Sequence, residues 1–362
     1  MTEVKSSINK ESDKKKKMKC AVFYGPLNVR IEEVPIPEPD EDEILVKVKA
    51  ALTCGTDLKT YKRGAHPTYI KPPARFGHEF SGEVVEIGRN IKGGIKVGDR
   101  IVCANSAPCG YCYYCKLGRE SLCENLFYLN GSYSQYIIIP GRIIQKNLYI
   151  IPEHISYEEA AILEPLSCVL HGAEESEIQM GDSVVINGAG PIGLMFVKLA
   201  VLKGAFVIVT DLNDERLSYA KDFGAKVTIK IKEGIDEIKE VKKISEGGRG
   251  VDIAIEATGV PKVWENTVKM LRKGGTAVLF GGCQSGTSVN IDTSIIHYNE
   301  VMIKGIYHHT PYYVKRAFDL IINRIVNARD FITSTVPLDN LVGAFQKMDK
   351  QEGIKYCIDV AY

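Results

Sequence analysis

Three observations predict an α/β chain in which a β-rich unit is joined to a doubly wound parallel sheet. From Val29 to about Ile150, short β-branched runs such as 44–48, 82–85 and 136–139 are broken by Gly, Pro and Asn, which is the pattern of a loop-rich β domain. After Pro152, apolar runs at 183–186, 206–210, 251–255 and 276–280 alternate with helical periods, so βαβ units and a parallel sheet are expected. The first of those runs ends in a glycine pattern and opens into a helix, the sequence form of an anion-binding turn.

The chain has 362 residues, which suits two domains of ordinary size. The hydrophobic set makes up 45% and charged residues 25%, enough to form a core and unlike the composition of disorder. With 46 basic and 45 acidic residues the formal charge is +1, so electrostatics gives no reason to expect nucleic acid or an anionic membrane as partner. The most apolar stretch, Val184 to Val209, is interrupted by Lys198, Lys203 and glycines, which argues against a membrane span. No apolar leader opens the chain, so a cytoplasmic protein is expected. Its ten cysteines bunch at a metal-like spacing and read as thiolate ligands rather than disulfides.

Residues 1–17 are lysine-rich and aperiodic, and a solvated tail is expected there. The fold is expected to start at Met18. A first domain over 18–165 and a nucleotide domain over 166–311 follow. Residues 312–362 begin helical near Pro311 and end strand-like at Tyr356–Val360, so they are expected to return to the first domain.

The dinucleotide reading rests on Gly188-Ala189-Gly190-Pro191-Ile192-Gly193, preceded by the strand-like 184–187 and followed by an apolar helix to Leu202. Asp211 closes the next strand about 20 residues on. Gly188 permits the tight turn, Gly190 lets the backbone approach a pyrophosphate, and Gly193 lets helix and strand pack closely. Asp211 can accept from both ribose hydroxyls and repels a 2′-phosphate, which favours NAD over NADP. The nearby Arg216 keeps NADP open. Thr258, in Ala257-Thr258-Gly259, and the 280–282 turn are expected at the nicotinamide end of the cleft.

Cys109, Cys112, Cys115 and Cys123 repeat as C-x2-C-x2-C-x7-C on a loop. Four thiolates complete tetrahedral zinc and leave no open position, so this set predicts a structural ion. Cys103 lies outside the pattern and reads as packing. Cys54, His78, Glu79 and Glu164 form a more scattered set. A thiolate, an imidazole and a carboxylate with one position open would suit a catalytic zinc, but a buried cysteine and a core histidine explain Cys54 and His78 equally well at this level.

The phrases CGTD, GHEFSGEVVEIG, VGDRI, the four-cysteine lobe, EPLSC and GAGPIG occur in this order, and the chain from Met18 to Tyr362 resembles the zinc-dependent medium-chain dehydrogenases, nearest to their polyol and threonine branch. The resemblance implies a GroES-like β domain with a Rossmann domain inserted before the C-terminal segment. It implies zinc bound by Cys54, His78 and either Glu79 or Glu164, a proton relay through Thr56, and Asp57 orienting a ligand. It also implies hydride transfer from a secondary alcohol (polyol, polyol phosphate or amino alcohol) to NAD, two zinc ions per chain, and a homodimer or homotetramer.

Two departures stand out. Many relatives carry a histidine five residues after the ligand cysteine, where this chain has Lys59; His66 is an alternative proton exit. The segment 91–95 is one residue longer than usual and reads as a loop insertion. His297, His308 and His309 are expected in a loop before the helix near Pro311, with Tyr307 or His308 as pocket-lining candidates. Two rival functions are a zinc-free enone or quinone reductase, which would not need Cys54, His78 and Glu164, and a non-catalytic binding protein using the cysteine lobe.

Overall fold

The structure is a computed structural model describing residues 16–64 and 70–361. It contains a seven-stranded mainly antiparallel sheet and a six-stranded parallel sheet. Most of the 1–17 tail lies outside the described residues, as does His66. Lys17 already belongs to the first strand, Lys17–Gly25, one residue earlier than expected.

In the first sheet, strand Glu43–Leu52 is central. It pairs antiparallel with Glu79–Ile87, with Tyr136–Pro140 and with Lys355–Asp359 from the far end of the chain. The last pairing joins Cys357 to Leu52 and Ile358 to Ala51, so the C-terminal strand completes the sheet that the N-terminal half starts. A small three-stranded sheet and the pair Ser106–Ala107 with Phe127–Tyr128 complete this unit. The second pair closes the base of the cysteine lobe.

Strand Glu43–Leu52 leads through Cys54 into helix Gly55–Arg63, an element the β-rich texture hid. Cys54 is its N-cap, with the sulfur accepting from Thr56 N; Asp57 lies in the first turn and Lys62 and Arg63 in the last, matching the helix dipole at both ends. Gly64 ends it at φ +97°, its N–H reaching Thr60 O, the left-handed cap that glycine adopts without penalty.

The parallel sheet runs Val227–Lys230, Phe206–Asp211, Ser183–Asn187, Val251–Glu256, Leu271–Leu279, Met302–Gly305 in spatial order. Strand order reverses beside Ser183–Asn187, and the carboxyl ends of the strands at such a reversal are where sheets of this kind hold their ligands. Val184, Val185 and Ile186 are fully buried, because helices cover both faces of such a sheet. The outer strands at 227–230 and 302–305 escaped sequence reading because polar residues interrupt them. Helix Leu163–Glu175 packs against helices Pro191–Leu202 and Pro311–Ile322. One apolar cluster runs from Ala50, Leu52 and Val102 of the first sheet to Val184, Ile186 and Val209 of the second, so the two units share a core.

Candidate active site

The turn out of the central strand places Cys54 at the edge of the first unit, and strand Glu79–Ile87 brings His78 and Glu79 beside it. Gly77 makes the approach possible: its φ is +89°, and a Cβ there would lie 2.6 Å from Ser132 Oγ and 2.7 Å from the Tyr133 ring. The donor atoms of Cys54, His78 and Glu79 all lie within 4.8 Å of one another.

Around them is a buried polar frame. His78 Nδ1 is 3.1 Å from Asp57 Oδ1, and Tyr133 donates its hydroxyl to Asp57 Oδ2 at 2.6 Å. Burial and the Asp57 charge keep the Tyr133 phenol protonated far above its ordinary range, so it is a donor throughout. With Asp57 accepting at Nδ1, the imidazole is fixed in orientation, and Nε2 is the nitrogen that would act as ligand. Glu79 is fully buried, and Lys355 Nζ stands 2.9 and 2.7 Å from its two oxygens. Burial raises the Glu79 pKa while the Lys355 charge opposes it. In Lys355 burial works against the charge, but Glu79 and Cys54 hold its pKa above the usual lysine value. A buried ammonium paired with Glu79 and feeling the charges of Cys54 and Glu164 is the counter-charge this corner needs.

Glu164 occupies the first turn of helix Leu163–Glu175 and is grouped with Cys168 and His308, not with Cys54 and His78.

The four lobe cysteines converge as a second donor set. Their sulfurs stand 4.0 Å apart for Cys109 and Cys115 and 3.8 Å for Cys112 and Cys123. Zinc–sulfur bonds of about 2.3 Å in a tetrahedron require sulfurs about 3.8 Å apart, so the set fits that ion. Backbone N–H groups of Cys109 and Cys112 point at Cys123 Sγ and Cys109 Sγ. Without a metal, donation from the Cys115 backbone lowers the Cys112 thiol to about 6, while burial lifts Cys115 to about 12. All ten cysteines are free thiols, and the loop expected around them contains a short helix, Tyr113–Lys116.

At the nucleotide crevice, Gly188 has φ +100°, and a Cβ on Gly193 would sit 1.8 Å from Gly188 O. Pro191 is the first residue of helix Pro191–Leu202, followed by Ile192, where a missing N–H costs nothing. Asp211 accepts from Ala189 N at 2.6 Å and Asn213 N at 2.9 Å, so its carboxylate sits at the mouth of the glycine turn. Arg216 lies beside Gly190, its Nη1 3.8 Å from where a Cβ would be.

Residues 40–152 match the family model for the alcohol dehydrogenase GroES-like domain, and residues 191–323 match that for zinc-binding dehydrogenase. Sorbitol dehydrogenase of Bacillus subtilis (strain 168) is 35% identical over 337 residues, covering 91% of this chain and 93% of its own. The chain belongs to the zinc-type medium-chain dehydrogenases. D-arabitol-phosphate dehydrogenase of Enterococcus avium is 34% identical, covering 90% and 92%. A zinc-binding dehydrogenase of Sinorhizobium meliloti 1021, solved bound to NADP, superposes with a TM-score of 0.86 at 31% identity, covering 95% of this chain and 99% of that one. The chain is therefore a zinc-dependent alcohol dehydrogenase that works with a nicotinamide cofactor.

Several residues that shape this dehydrogenase's site were not found from sequence. Lys355 was hidden in a C-terminal strand whose burial depends on pairing 300 residues back; a lone lysine in an otherwise apolar strand was the available signal. Glu256 ends its strand fully buried and accepts from Thr258 N, Thr258 Oγ1 and Gly259 N, so it shapes the turn that Thr258 was expected to supply by itself. One expectation about the histidines is corrected. His297 lies in a helix, Thr293–Tyr298, because Asp292 caps that segment. His308 lies in the loop before helix Pro311–Ile322, as expected, and its ring stands against Cys168 and Ser106. Cys103 is buried in the core. Among the described residues no helix is long and apolar enough to cross a membrane.

Proposed function

We propose that the chain oxidises a secondary hydroxyl of a polyol, polyol phosphate or amino alcohol with NAD, using a catalytic zinc held by Cys54, His78 and Glu79 and a structural zinc held by Cys109, Cys112, Cys115 and Cys123. The observation that carries the reading is the convergence of Cys54, His78 and Glu79 from two separate segments to within 4.8 Å. When bound, zinc supplies Lewis acidity that acidifies a coordinated hydroxyl, and the nicotinamide accepts the hydride.

The protein's part is positioning and proton movement. Asp57 and Tyr133 fix the His78 ring, and Lys355 sets the charge on Glu79. Glu164 borders the site with a second carboxylate able to reach the ion through water. Thr56, in the first helical turn beside Cys54, is placed to take the substrate proton. Lys59 follows one turn later on the same helix face and is exposed. Its charge reaches Cys283 of the nucleotide unit, where burial and Glu256 raise the thiol and Lys59 opposes them. An exposed cation on this side of the site favours an anionic substrate such as the polyol phosphate that the Enterococcus relative is named for. The glycine turn receives the pyrophosphate, and the Asp211 carboxylate favours a ribose diol over a 2′-phosphate. NADP is what the Sinorhizobium protein holds, and Arg216 is the residue through which this chain would accept it. The rival of a zinc-free reductase leaves the Cys54 donor set without purpose. The exposed edge strand Met302–Gly305, with Met302 50% and nearby Tyr298 76% exposed, suits a homodimer formed by pairing sheet edges.

NADH formation from polyols, polyol phosphates, simple secondary alcohols and L-threonine tests the reading. Activity on one class that is lost in Cys54→Ser supports it. Activity that survives that substitution overturns it.

A further inference from the structure

Two stretches of chain that neither the zinc nor the nucleotide reading uses enclose a cavity of about 570 Å³. One wall is the run 153–159, which leads toward helix Leu163–Glu175; the other is the turn 324–329, which follows helix Pro311–Ile322. Arg100 joins them from strand Arg100–Cys103. Three guanidinium groups, those of Arg100, Arg324 and Arg329, thus line one space with only two carboxylates, Glu153 and Glu159.

The cations are fixed in place. Arg100 Nη1 donates to Pro152 O at 3.1 Å and Nη2 to Ile155 O at 2.6 Å, and its guanidinium carbon lies 4.5 Å from the centre of the Tyr157 ring, a cation–π contact. Arg324 Nη2 donates to His154 O at 2.6 Å, and its Nη1 meets Glu159 Oε1 at 3.5 Å. Arg324 keeps a left-handed backbone, φ +54°, just past the end of a helix, where glycine would sit without strain. A long side chain retained there has a use that outweighs the strain. Arg329 Nε stands 3.7 Å from Glu159 Oε1, its only ion pair among the described residues.

The charge of this group of residues is not balanced from within. Glu159 is buried, and its other oxygen accepts from Ser156 N at 2.7 Å, so a single carboxylate serves two arginines and a backbone amide. Glu153 is exposed and forms no ion pair among the described residues. Carbonyl oxygens hold a guanidinium in position without neutralising it, and an excess of positive charge is left facing the cavity. Arginine forks match the paired oxygens of a phosphate group. The remaining wall is polar, with His154, Ser156 and Asn327, and the volume is that of a small-molecule site rather than of a bare ion. We propose that this cavity binds a small hydroxylated phosphate ester, its phosphate held by Arg324 and Arg329 and its charge supported by Arg100. The site is separate from the zinc and nucleotide sites and does not rest on the choice of alcohol substrate.

The test is calorimetric titration of the zinc-loaded full chain, saturated with NADH so that the glycine turn is filled and no alcohol is oxidised. Glycerol 3-phosphate and inorganic phosphate are the probes. The wild type is expected to bind the ester at this site, and more tightly than inorganic phosphate. Arg329→Gln should raise the ester's dissociation constant by ~10–100-fold, the scale of a lost charged hydrogen bond. Arg324→Lys, which keeps the charge and loses the fork, should weaken it by at least ~10-fold. Arg329 is exposed, so its variant should melt at the wild-type temperature without ligand and lose the rise in melting temperature that the ester gives the wild type. Lys59→Gln, which removes the exposed cation near the active site, should leave this binding unchanged. Absence of saturable binding, or binding that Arg329→Gln does not weaken, overturns the proposal. Dependence on Lys59 instead of Arg329 places the phosphate at the active site and overturns it as well, and tighter binding of inorganic phosphate than of the ester rejects the ester as ligand.

Discussion

Asp57 Oδ1 stands 3.1 Å from His78 Nδ1 while Asp57 Oδ2 accepts the Tyr133 hydroxyl at 2.6 Å. The carboxylate thus fixes both the tautomer and the angle at which His78 offers its other nitrogen. Asp57→Asn keeps the shape and removes the charge, and it should weaken zinc binding by ~10–100-fold. Competition with a chelator of known affinity measures this; an unchanged affinity would mean that Asp57 is merely structural.

The ion pair between Lys355 and Glu79 is almost wholly buried. Removing one partner strands the other in a medium that does not solvate it. Lys355→Met should therefore cost ~3–5 kcal/mol of stability in the metal-free protein, and less once a zinc ion faces Glu79. Denaturant unfolding with and without zinc gives both numbers, and equal losses in the two states would contradict the argument.

Gly193 and Gly190 make a contrast. A methyl at Gly193 would lie 1.8 Å from Gly188 O, whereas one at Gly190 meets only Arg216 Nη1 at 3.8 Å. Gly193→Ala should distort the turn and abolish NADH binding in a fluorescence titration. Gly190→Ala should keep its melting temperature and lose affinity solely through the closer approach to the pyrophosphate.

Asp211 offers a carboxylate to the ribose hydroxyls. Hydrogen bonds to a charged group contribute about 1.5–3 kcal/mol each, so Asp211→Ala should raise the NAD dissociation constant by ~10–100-fold. NADP affinity should fall less or rise, because a repelling charge has gone and Arg216 remains. If both cofactors weaken equally, Asp211 serves the turn and not the choice of cofactor.

His309 is buried, and burial together with His308 and His171 holds its pKa well below the ordinary histidine value. The folded chain therefore binds fewer protons there than the unfolded chain, whose histidine titrates near 6.5. Stability linked to this group is complete above about pH 6.5 and is lost as the pH falls toward the lowered native value. His309→Gln should accordingly lose less melting temperature than the wild type between pH 7.5 and 5. A larger loss in the variant would reverse the sign and defeat the prediction.

Much of this site was legible because its chemistry is local. The four lobe cysteines fall within 15 positions, 109–123, and a loop that short can close on one ion. The glycine turn and Asp211 follow the fixed geometry of one βαβ unit. Lys355 was hidden for the opposite reason: it is defined by a partner on another element, Glu79. His308 resembles any loop histidine until the connection after Met302–Gly305 is laid across Ser106 and Cys168.

By itself the sequence determined the class of each unit, the cofactor turn and the four-cysteine set, because hydrophobic period, turn residues and ligand spacing act over a few residues. The tertiary structure brings a Glu79 oxygen within 4.8 Å of the Cys54 and His78 donor atoms. Glu79 shares their edge of the first sheet, while Glu164 projects from a helix at the junction and meets Cys168 and His308 instead. Spacing along the chain carries no information about that choice, since it depends on how helix Leu163–Glu175 packs across the shared core.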